Sequence, residues 1–423
     1  MDGDLKSESF LTALQNELVP ALGCTEPIAI AYASAKARDV LGEFPDKLEL
    51  LCSGNIIKNV KGVMVPNSNG MRGVGIAAVL GVVGGNAQRE LEVLEEITPE
   101  HIEKAKKLLV EDFFSYQVAK NVENLYISAT VYAGTHSAKV TLKNHHTNIV
   151  EIIKDGKYLY QNTTTEEIQE INWSLWSIHD ILDFADTVDL LKIQKVLDRQ
   201  ITLNCAISKE GLRNPYGSQV GRTLLKCYGN DVRMRAVAYA AAGSDARMGG
   251  CSMPVVINSG SGNQGMTASL PVIEYAKELG VSQDKLYRAL LVSNLVAIYQ
   301  KHFIGSLSAF CGAVTAACGS GAAITYLHGG DYMAVSRTII NTLANVGGIV
   351  CDGAKSSCAA KIASALDAAI MAHHMSMQGL VFQPGEGLVM DDVEKTIRNI
   401  GYMGRVGMAQ TDIEILRLMM NPT

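Results

Sequence analysis

Four of the nine cysteines stand among small, polar or charged residues, where thiols can do chemistry. Cys24 lies in the string LGCTEP, Cys311 in AFCGA, and Cys351 and Cys358 bound the string CDGAKSSC. The last string predicts a loop or a helix start, where backbone N–H groups and Lys355 would stabilise thiolates. The spacing matches neither a zinc ribbon nor a ferredoxin run. The residues alone therefore leave two interpretations, a metal or cluster site and buried structural cysteines, of which the second is commoner.

The remaining cysteines have apolar or strand-like neighbours, and we interpret them as structural. They are Cys52, Cys205, Cys227, Cys251 and Cys318.

A second candidate is the string MPVVINSGSGNQG at 253–265, which predicts a short strand, a loop and a helix start. Exposed N–H groups with Ser and amide side chains can hold a carboxylate or phosphate. The glycine spacing is neither that of a P-loop nor that of a dinucleotide-binding loop, and a plain turn is equally compatible. The candidate substrate-binding residues here are Ser259, Ser261, Asn263 and Gln264.

Arg247 lies just upstream, two residues beyond Asp245. Its guanidinium suits two-point binding of a substrate carboxylate, although a local ion pair is the commoner arrangement. His302 ends a predicted helix and could simply complement its C-terminus. We interpret Lys58 and Lys61 as surface charges unless they face a cleft between domains. The sequence shows no context for a lysine that binds pyridoxal phosphate, which would otherwise supply an electron sink.

Composition narrows the class of protein. With 48% hydrophobic and 19% charged residues the chain is typical of globular proteins, and its 423 residues predict two domains. A net charge of −6 without a Lys/Arg block predicts neither a nucleic-acid nor a membrane partner. The acidic start at residues 1–4 lacks the features of a signal peptide, so we expect a cytoplasmic protein with reduced thiols.

The helices and strands predicted around these residues indicate an α+β fold. Residues 1–190 are predicted to form a mixed α/β domain with an antiparallel sheet, and residues 191–423 a mostly α-helical domain. Helices are expected at 7–18 and from an N-cap at Thr98 to about Phe114. Strands are predicted at 48–52, 126–132, 137–142, 149–153 and 158–160.

The second domain is expected to contain helices interrupted by Gly/Ser-rich joints. The segment 306–327 has no charged residue, and its Gly, Ala, Ser and Cys content favours a buried central helix over a membrane span. Such an apolar domain is compatible with a homo-oligomer. The joints are predicted at 243–250, 258–265, 347–348 and 379–387.

Nearly the whole chain, from about residue 10 to 415, resembles the L-cysteine desulfidase family, which is related to the alpha region of the iron–sulfur L-serine dehydratases. The CDGAK segment is the most specific part of this resemblance. The segments that carry it are LGCTEPIAIA, GNIIKNVKGVMVPN, GSDARMGG, NSGSGNQGMTASLPV, CGAVTAACGSGAA and GIVCDGAKSSCA.

The resemblance implies a 4Fe–4S cluster held by three cysteines, with one iron open to substrate and without pyridoxal phosphate. The desulfidase pattern places the ligands on Cys24, Cys311 and Cys351. The dehydratase pattern replaces Cys24 with Cys358, although its loop is longer and contains proline. Both patterns retain Cys311 and Cys351, and the third ligand stays open.

The implied reaction is β-elimination from a small amino acid. L-cysteine would give pyruvate, ammonia and sulfide, and the alternatives are an L-serine dehydratase and a non-catalytic iron–sulfur or zinc redox sensor. A base must remove the Cα proton. Three residues are candidates for that base: Lys355, Asp352 and His302.

Overall fold

The computed structural model describes residues 2–162, 171–305 and 307–420. Part of the first predicted domain, 163–170, therefore lies outside the described residues, as does Ser306 at the start of the predicted central helix.

The described strands form a six-stranded sheet and a separate two-stranded sheet. The six-stranded sheet has the order β3-β2-β4-β5-β6-β7, and the small sheet pairs β1 with β8. The strands are β1 (Pro20–Leu22), β2 (Lys47–Ser53), β3 (Phe114–Ala119), β4 (Tyr126–Ala133), β5 (His136–Lys143), β6 (Ile149–Lys154), β7 (Lys157–Gln161) and β8 (Pro254–Val256).

The predicted antiparallel meander is confirmed in β4 to β7, which pair with one another in chain order. Two of its turns use left-handed backbone, at Gly134 (φ 56°) and at Asp155-Gly156 (φ 48° and 74°), as such short connections require. The sheet as a whole is mixed, because β3 runs parallel to β2.

The prediction that the helix after Thr98 continues to about Phe114 is wrong. The helix ends at Val110, and Phe114 begins β3. Asp112 has a φ of 57°, which no right-handed helix accommodates, so the chain reverses there and enters the sheet. Thr98 does cap the helix, accepting a hydrogen bond from the N–H of His101.

The described helices are α1 (Asp2–Glu17), α2 (Thr25–Leu41), α3 (Gly54–Val60), α4 (Val74–Gly84), α5 (Pro99–Val110), α6 (Ile178–Thr187), α7 (Gln194–Arg213), α8 (Val220–Tyr228), α9 (Val232–Met248), α10 (Gly262–Leu279), α11 (Gln283–Ile304), α12 (Gly312–Leu327), α13 (Tyr332–Val346), α14 (Cys358–Met377), α15 (Val393–Tyr402) and α16 (Ala409–Met420).

Helix α2 lies against β4 and β5 on one side and against α4 on another, so it is buried over most of its length. Its small residues allow this close packing. A Cβ at Gly81 of α4 would lie 2.3 Å from the carbonyl oxygen of Ala31 on α2, so glycine is required where the two helices touch. The first turn of α2, which carries Cys24 and Glu26, is thereby fixed against the sheet.

The helical part is built around α12, as the uncharged segment predicted. This helix is buried at every residue from Ala313 to Leu327 and packs against α10, α11, α13 and α14. Gly319 allows its approach to α11, since a Cβ there would lie 2.3 Å from the carbonyl oxygen of Ser293. Within the described part of the chain, no helix combines the length and apolar character that crossing a membrane needs.

One predicted joint is wrong: Gly243 to Met248 continue α9 as regular helix, and the chain leaves it only at Gly249. Gly243 serves packing instead, because a Cβ there would lie 2.5 Å from the sulfur of Met266 on α10. The joints at 347–348 and 379–387 are confirmed as irregular segments between helices, and in the joint at 258–265 helix α10 begins at Gly262.

The parts before and after residue 190 are joined by the small sheet, in which Pro20 to Leu22 pair with Val256 to Pro254. Helix α1 also packs on α6 and α11, and most buried apolar residues of both parts belong to one continuous cluster. The division into 1–190 and 191–423 stays a prediction.

Candidate active site

A cavity of about 370 Å³ lies where the two parts meet. It is lined by the first turn of α2, the turn between β5 and β6, the loop before α10, the end of α11 and the starts of α12 and α14. All four cysteines singled out by the sequence line it: Cys24, Cys311, Cys351 and Cys358.

Four helices begin at this cavity, namely α2, α10, α12 and α14. Among the residues that the structure describes, no N-cap side chain bonds to the first N–H groups of any of these four helices. The free N–H groups and the positive ends of the helix dipoles favour anions, whether thiolates or a bound carboxylate. Seven other described helices carry Ser, Thr or Asp caps, among them α5, α9 and α11.

Cys311 and Cys351 are brought together by a short stretch of antiparallel pairing. The N–H of Cys311 donates to the carbonyl of Ile349 (2.9 Å), and the N–H of Cys351 donates to the carbonyl of Ala309 (2.6 Å). The two thiols interact directly. The hydrogen bond from Cys311 lowers the pKa of Cys351 against the effect of burial, while the same bond and burial raise the pKa of Cys311. The pair therefore favours one thiolate, on Cys351.

Two buried lysines surround this pair: Lys58, which was expected at the surface unless it faced a cleft between domains, and Lys301, which the sequence analysis did not single out. Lys58 is 2% exposed, pairs with Asp412 and donates to the carbonyl of Cys351 at 3.5 Å. Lys301 lines the cavity, and burial lowers its pKa despite the opposing charges of Cys351 and Cys311. The apolar residues beside Lys58 in GNIIKNV are the only sequence signal that it is buried, and Lys61 is indeed exposed.

Cys24 occupies a different electrostatic environment. It is the N-cap residue of α2, and its thiol donates to Oε2 of Glu26 at 3.0 Å. Burial and the charge of Glu26 raise the pKa of Cys24, although Arg247 opposes them. The guanidinium of Arg247 also donates through Nε to the carbonyl of Gly23 (2.8 Å), which fixes the backbone just before the cysteine.

Cys358 is the first residue of α14, and its thiol donates weakly to the carbonyl of Gly353 at 3.8 Å. Burial raises its pKa, and Lys355 and Lys361 oppose this. The Cys358 side chain packs on a small cluster that also contains Cys24. Both candidates for the third ligand therefore lie at the same cavity.

Glu26 is a buried carboxylate that the sequence prediction did not single out. Oε1 accepts from Nδ2 of Asn59 (3.0 Å), and Oε2 accepts from the thiol of Cys24 and the hydroxyl of Thr25 (3.2 Å). Burial raises its pKa, but His146 and these hydrogen bonds outweigh burial, so the pKa is lowered and the carboxylate stays charged. Its place in the string GCTEP, two residues from a candidate cysteine, was the available signal.

The loop before α10 lies on the same cavity, as predicted for a binding loop. Ser259 (φ 49°) and Gly260 (φ 75°) are left-handed, and the backbone N–H and carbonyl groups of Asn258 and Ser261 bond to each other. The hydroxyl of Ser259 donates to Oδ1 of Asn258 (2.8 Å). Oδ1 of Asn263 and Oε1 of Gln264 are buried without a hydrogen-bond partner among the described residues. Such atoms in a cavity indicate a place for a ligand.

Arg247 also lines the cavity and is 2% exposed. Asp245 does not pair with it. The Asp245 carboxylate instead accepts the N–H of Gly221 (3.1 Å) and caps the start of α8, where burial raises its pKa to about 6. The local ion pair considered from the sequence is thus absent among the contacts described for Arg247, and the arginine faces Cys24 and Glu26.

The three candidate bases are placed differently. His302 lines the cavity and stacks on Trp173 with ring centroids 4.1 Å apart, and burial with Arg405 lowers its pKa to about 4. Asp352 and Lys355 pair with each other and are not among the residues that line the cavity. Burial raises the pKa of Asp352, but hydrogen bonds from Lys355 and Lys361 lower it to about 2.

The donor set suits a cluster better than a single ion. Among the described residues, no three His, Cys, Asp or Glu side chains converge closely enough to hold one metal ion. The four thiols are instead distributed around the cavity, and iron–sulfur clusters are bound by cysteine thiolates on separate irons.

Comparison with known proteins gives the family. A family model described as serine dehydratase alpha chain matches residues 88–417. A UPF0597 protein from Lachnoclostridium phytofermentans is 53% identical over 419 residues, which cover 98% of this chain and 100% of that protein. UPF0597 proteins from Desulfitobacterium hafniense and Treponema denticola are 50% and 46% identical, and each alignment covers 98% of this chain and at least 97% of the relative. The resemblance inferred from the sequence is confirmed, and the chain belongs to the serine dehydratase alpha chain family.

Proposed function

We propose that this chain is an iron–sulfur-dependent lyase that eliminates the β-substituent of a small L-amino acid, with L-cysteine as substrate and pyruvate, ammonia and sulfide as products. The observation that carries the proposal is the meeting of four cysteines and an uncapped, amide-lined helix start on one cavity. The family points to a lyase.

The cluster ligands in this proposal are Cys24, Cys311 and Cys351. Cys24 would hold the cluster from the start of α2, and Cys311 and Cys351 would hold it from the paired segments before α12 and α14. Cys358 lies closer in sequence to Cys351 and is the alternative third ligand. Lys58 and Lys301 would offset part of the negative charge of the bound thiolates.

When bound, a 4Fe–4S cluster with one iron free of protein ligands supplies a Lewis acid for the β-thiol or β-hydroxyl. The rest of the chemistry depends on side chains of this chain, which must hold the carboxylate, orient Cα and accept its proton.

We assign the substrate carboxylate to the start of α10 and Arg247. The uncapped first N–H groups of α10 and the guanidinium provide positive partners for an anion. The unpaired amide oxygens of Asn263 and Gln264 can accept from the substrate ammonium group, while Ser259 and Ser261 lie on the same loop.

Of the bases predicted from the sequence, His302 alone lines the cavity, and its stacked ring and lowered pKa make it a weak base. Asp352 and Lys355 would have to leave their ion pair to reach substrate. Once Cα loses its proton and the β-substituent leaves, the resulting 2-aminoacrylate hydrolyses to pyruvate and ammonia.

L-cysteine is favoured by the desulfidase-like segments, and a soft sulfur suits iron. The second candidate, L-serine dehydration, is favoured by the description of the matching family.

Anaerobic reconstitution with iron and sulfide, followed by separate assays with L-cysteine and L-serine, tests both. We expect pyruvate from both or from cysteine alone, with a higher kcat/KM for cysteine. A preference for serine would replace the first substrate by the second. Bound iron with no pyruvate from either would favour a redox sensor, and no bound metal under any anaerobic preparation would favour structural cysteines.

A further inference from the structure

His146 lies on the turn between β5 and β6 and reaches the cavity from the sheet side. Its Nε2 atom is buried and has no hydrogen-bond partner among the described residues. An imidazole nitrogen left without a partner in a cavity wall has a free donor or acceptor for a ligand.

The histidine ring lies directly against the candidate carboxylate loop. A Cβ at Gly260 would be 3.0 Å from Cε1 of His146 and 3.4 Å from Nδ1, so glycine at this position leaves space for the ring. The hydroxyl of Thr25 donates to the carbonyl of Gly260 at 2.8 Å, which ties this loop to the first turn of α2.

This placement matters because Cα is bonded directly to the carboxylate carbon of an amino acid. A base beside the group that binds the carboxylate is therefore within reach of the Cα proton, whereas a base on the far wall is not. Geometry of this kind is the first requirement of a general base.

Charged groups from three elements face the ring. They are Glu26 on α2, Arg247 on α9 and His145 on the same turn. Burial is the largest effect and lowers the pKa of His146; Glu26 opposes it, and His145 and Arg247 add to it. The neutral imidazole, which has a lone pair, is therefore the form present near neutral pH.

We propose that His146 is the general base of the elimination, an assignment that rests on the proposed function. Nε2 accepts the Cα proton, the Cα–H electron pair becomes the second Cα–Cβ bond, and the Cβ–S bond breaks with its electrons leaving on sulfur as hydrosulfide. With L-serine the Cβ–O bond breaks instead.

The test compares His146→Asn and His146→Gly with His136→Asn and His136→Gly, all reconstituted anaerobically in the full chain. His136 is the matched control, because it lies at the start of β5, is exposed and is not among the residues that line the cavity. Iron content, visible absorption and thermal midpoint are measured first. Next come kcat and KM for L-cysteine and L-serine, the isotope effect with α-deuterated substrate, and the response to added imidazole.

For both His146 variants we expect normal iron content and midpoint, a KM near that of the unmodified protein and a fall in kcat of about 10²- to 10⁴-fold. Imidazole should restore part of the kcat of His146→Gly and leave the kcat of His136→Gly unchanged. A retained kcat, a loss without rescue, or a loss of iron would overturn the assignment. If the unmodified protein forms no pyruvate, the proposed function fails and the base assignment fails with it. If the unmodified protein and the His146 variants are all active, only the base assignment fails.

Discussion

Two sides of the cavity satisfy their polar groups in different ways. The cysteine side consists of Cys311, Cys351 and Cys358 with Lys58 and Lys301, and its members interact with one another through hydrogen bonds and charge. The loop side consists of Glu26, His146, Arg247 and residues 258–264. Three of its buried side-chain atoms, on His146, Asn263 and Gln264, have no hydrogen-bond partner in the part of the chain that the structure describes.

The difference separates two tasks. Thiols that face cations and helix starts are arranged to carry negative charge before anything binds. Unpaired amide and imidazole groups are costly in an empty cavity and become satisfied only when a polar ligand arrives. The cysteine side is thus suited to a resident group, and the loop side to a substrate that comes and goes.

The largest effect should follow from removing the shared thiols. Cys351→Ser and Cys311→Ser should each lose bound iron and reduce pyruvate formation by at least about 10³-fold, because the Lewis acid is lost. Iron analysis and visible absorption of the reconstituted protein provide the measurement. Cys227→Ser, at an exposed cysteine away from the cavity, is the control and should retain both. Full iron content in Cys351→Ser would show that the cysteine side does not bind the iron.

Comparing Cys24→Ser with Cys358→Ser shows which of the two cysteines is the third cluster ligand. The Cys24 thiol hydrogen-bonds to Glu26 on the loop side, so a ligand role for Cys24 would connect the two sides. We expect Cys24→Ser to lose most of its iron and Cys358→Ser to retain it, because ligands from different walls enclose a cluster. Iron and sulfide content per chain measures this. The opposite pattern would assign the third ligand to Cys358.

A smaller effect is expected on the loop side. Asn263→Ala should raise KM by about tenfold with little change in kcat, since one hydrogen bond to the charged ammonium group of the substrate is worth about 1.5 kcal/mol. Iron content should stay normal, which distinguishes this side from the first. Asn230→Ala, at an exposed asparagine, is the control. Loss of iron in Asn263→Ala would mean that the two sides are not separate in function.

The smallest effect concerns Glu17, which connects the two sides by accepting the N–H of Ser259 and facing Lys301. Burial raises its pKa to about 7 against these two partners. A carboxyl with a raised folded-state pKa contributes stability below its ordinary pKa of 4.5, and this contribution is lost as pH rises through 7. Glu17→Gln should therefore gain stability relative to the unmodified protein as pH increases, by at most about 1.4 kcal/mol per pH unit.

Chemical unfolding of both proteins at pH 5 and pH 8 measures this difference. If the free energy of unfolding of Glu17→Gln minus that of the unmodified protein stays constant or falls from pH 5 to pH 8, Glu17 does not carry a raised pKa.

The sequence was sufficient for the α+β class, the meander and the buried central helix, because each depends on local periodicity and turn residues. It failed at Phe114, where a left-handed Asp112 ended the helix early, and at Gly243, where glycine serves helix contact. Both failures concern residues that contact segments distant in sequence, since Phe114 pairs with Leu48 of β2 and Gly243 lies against Met266 of α10.

The candidate site, too, was predicted only in part from the sequence. The convergence of the cysteines on one cavity was predicted from family-like segments, whereas Glu26 and His146 were not singled out and Lys58 was expected at the surface unless it faced a cleft. A lysine, a glutamate and a histidine are ordinary surface residues by type, and only the packing of two parts of the chain shows that these are buried around the thiols. Asp352 and Lys355 were chosen for their position beside Cys351, but spacing does not show that they pair with each other.

The pairing of β1 with β8 joins two parts of the cavity wall that are distant in sequence. β1 leads directly into Gly23 and Cys24, and β8 leads directly into the loop at 258–264, so three paired residues set the distance between a candidate ligand and the candidate substrate loop. The helical part by itself would contain three of the four thiols and yet lack Cys24, Lys58 and His146. Acquisition of metal and competence to bind substrate should therefore arise together during folding, when these two short strands meet.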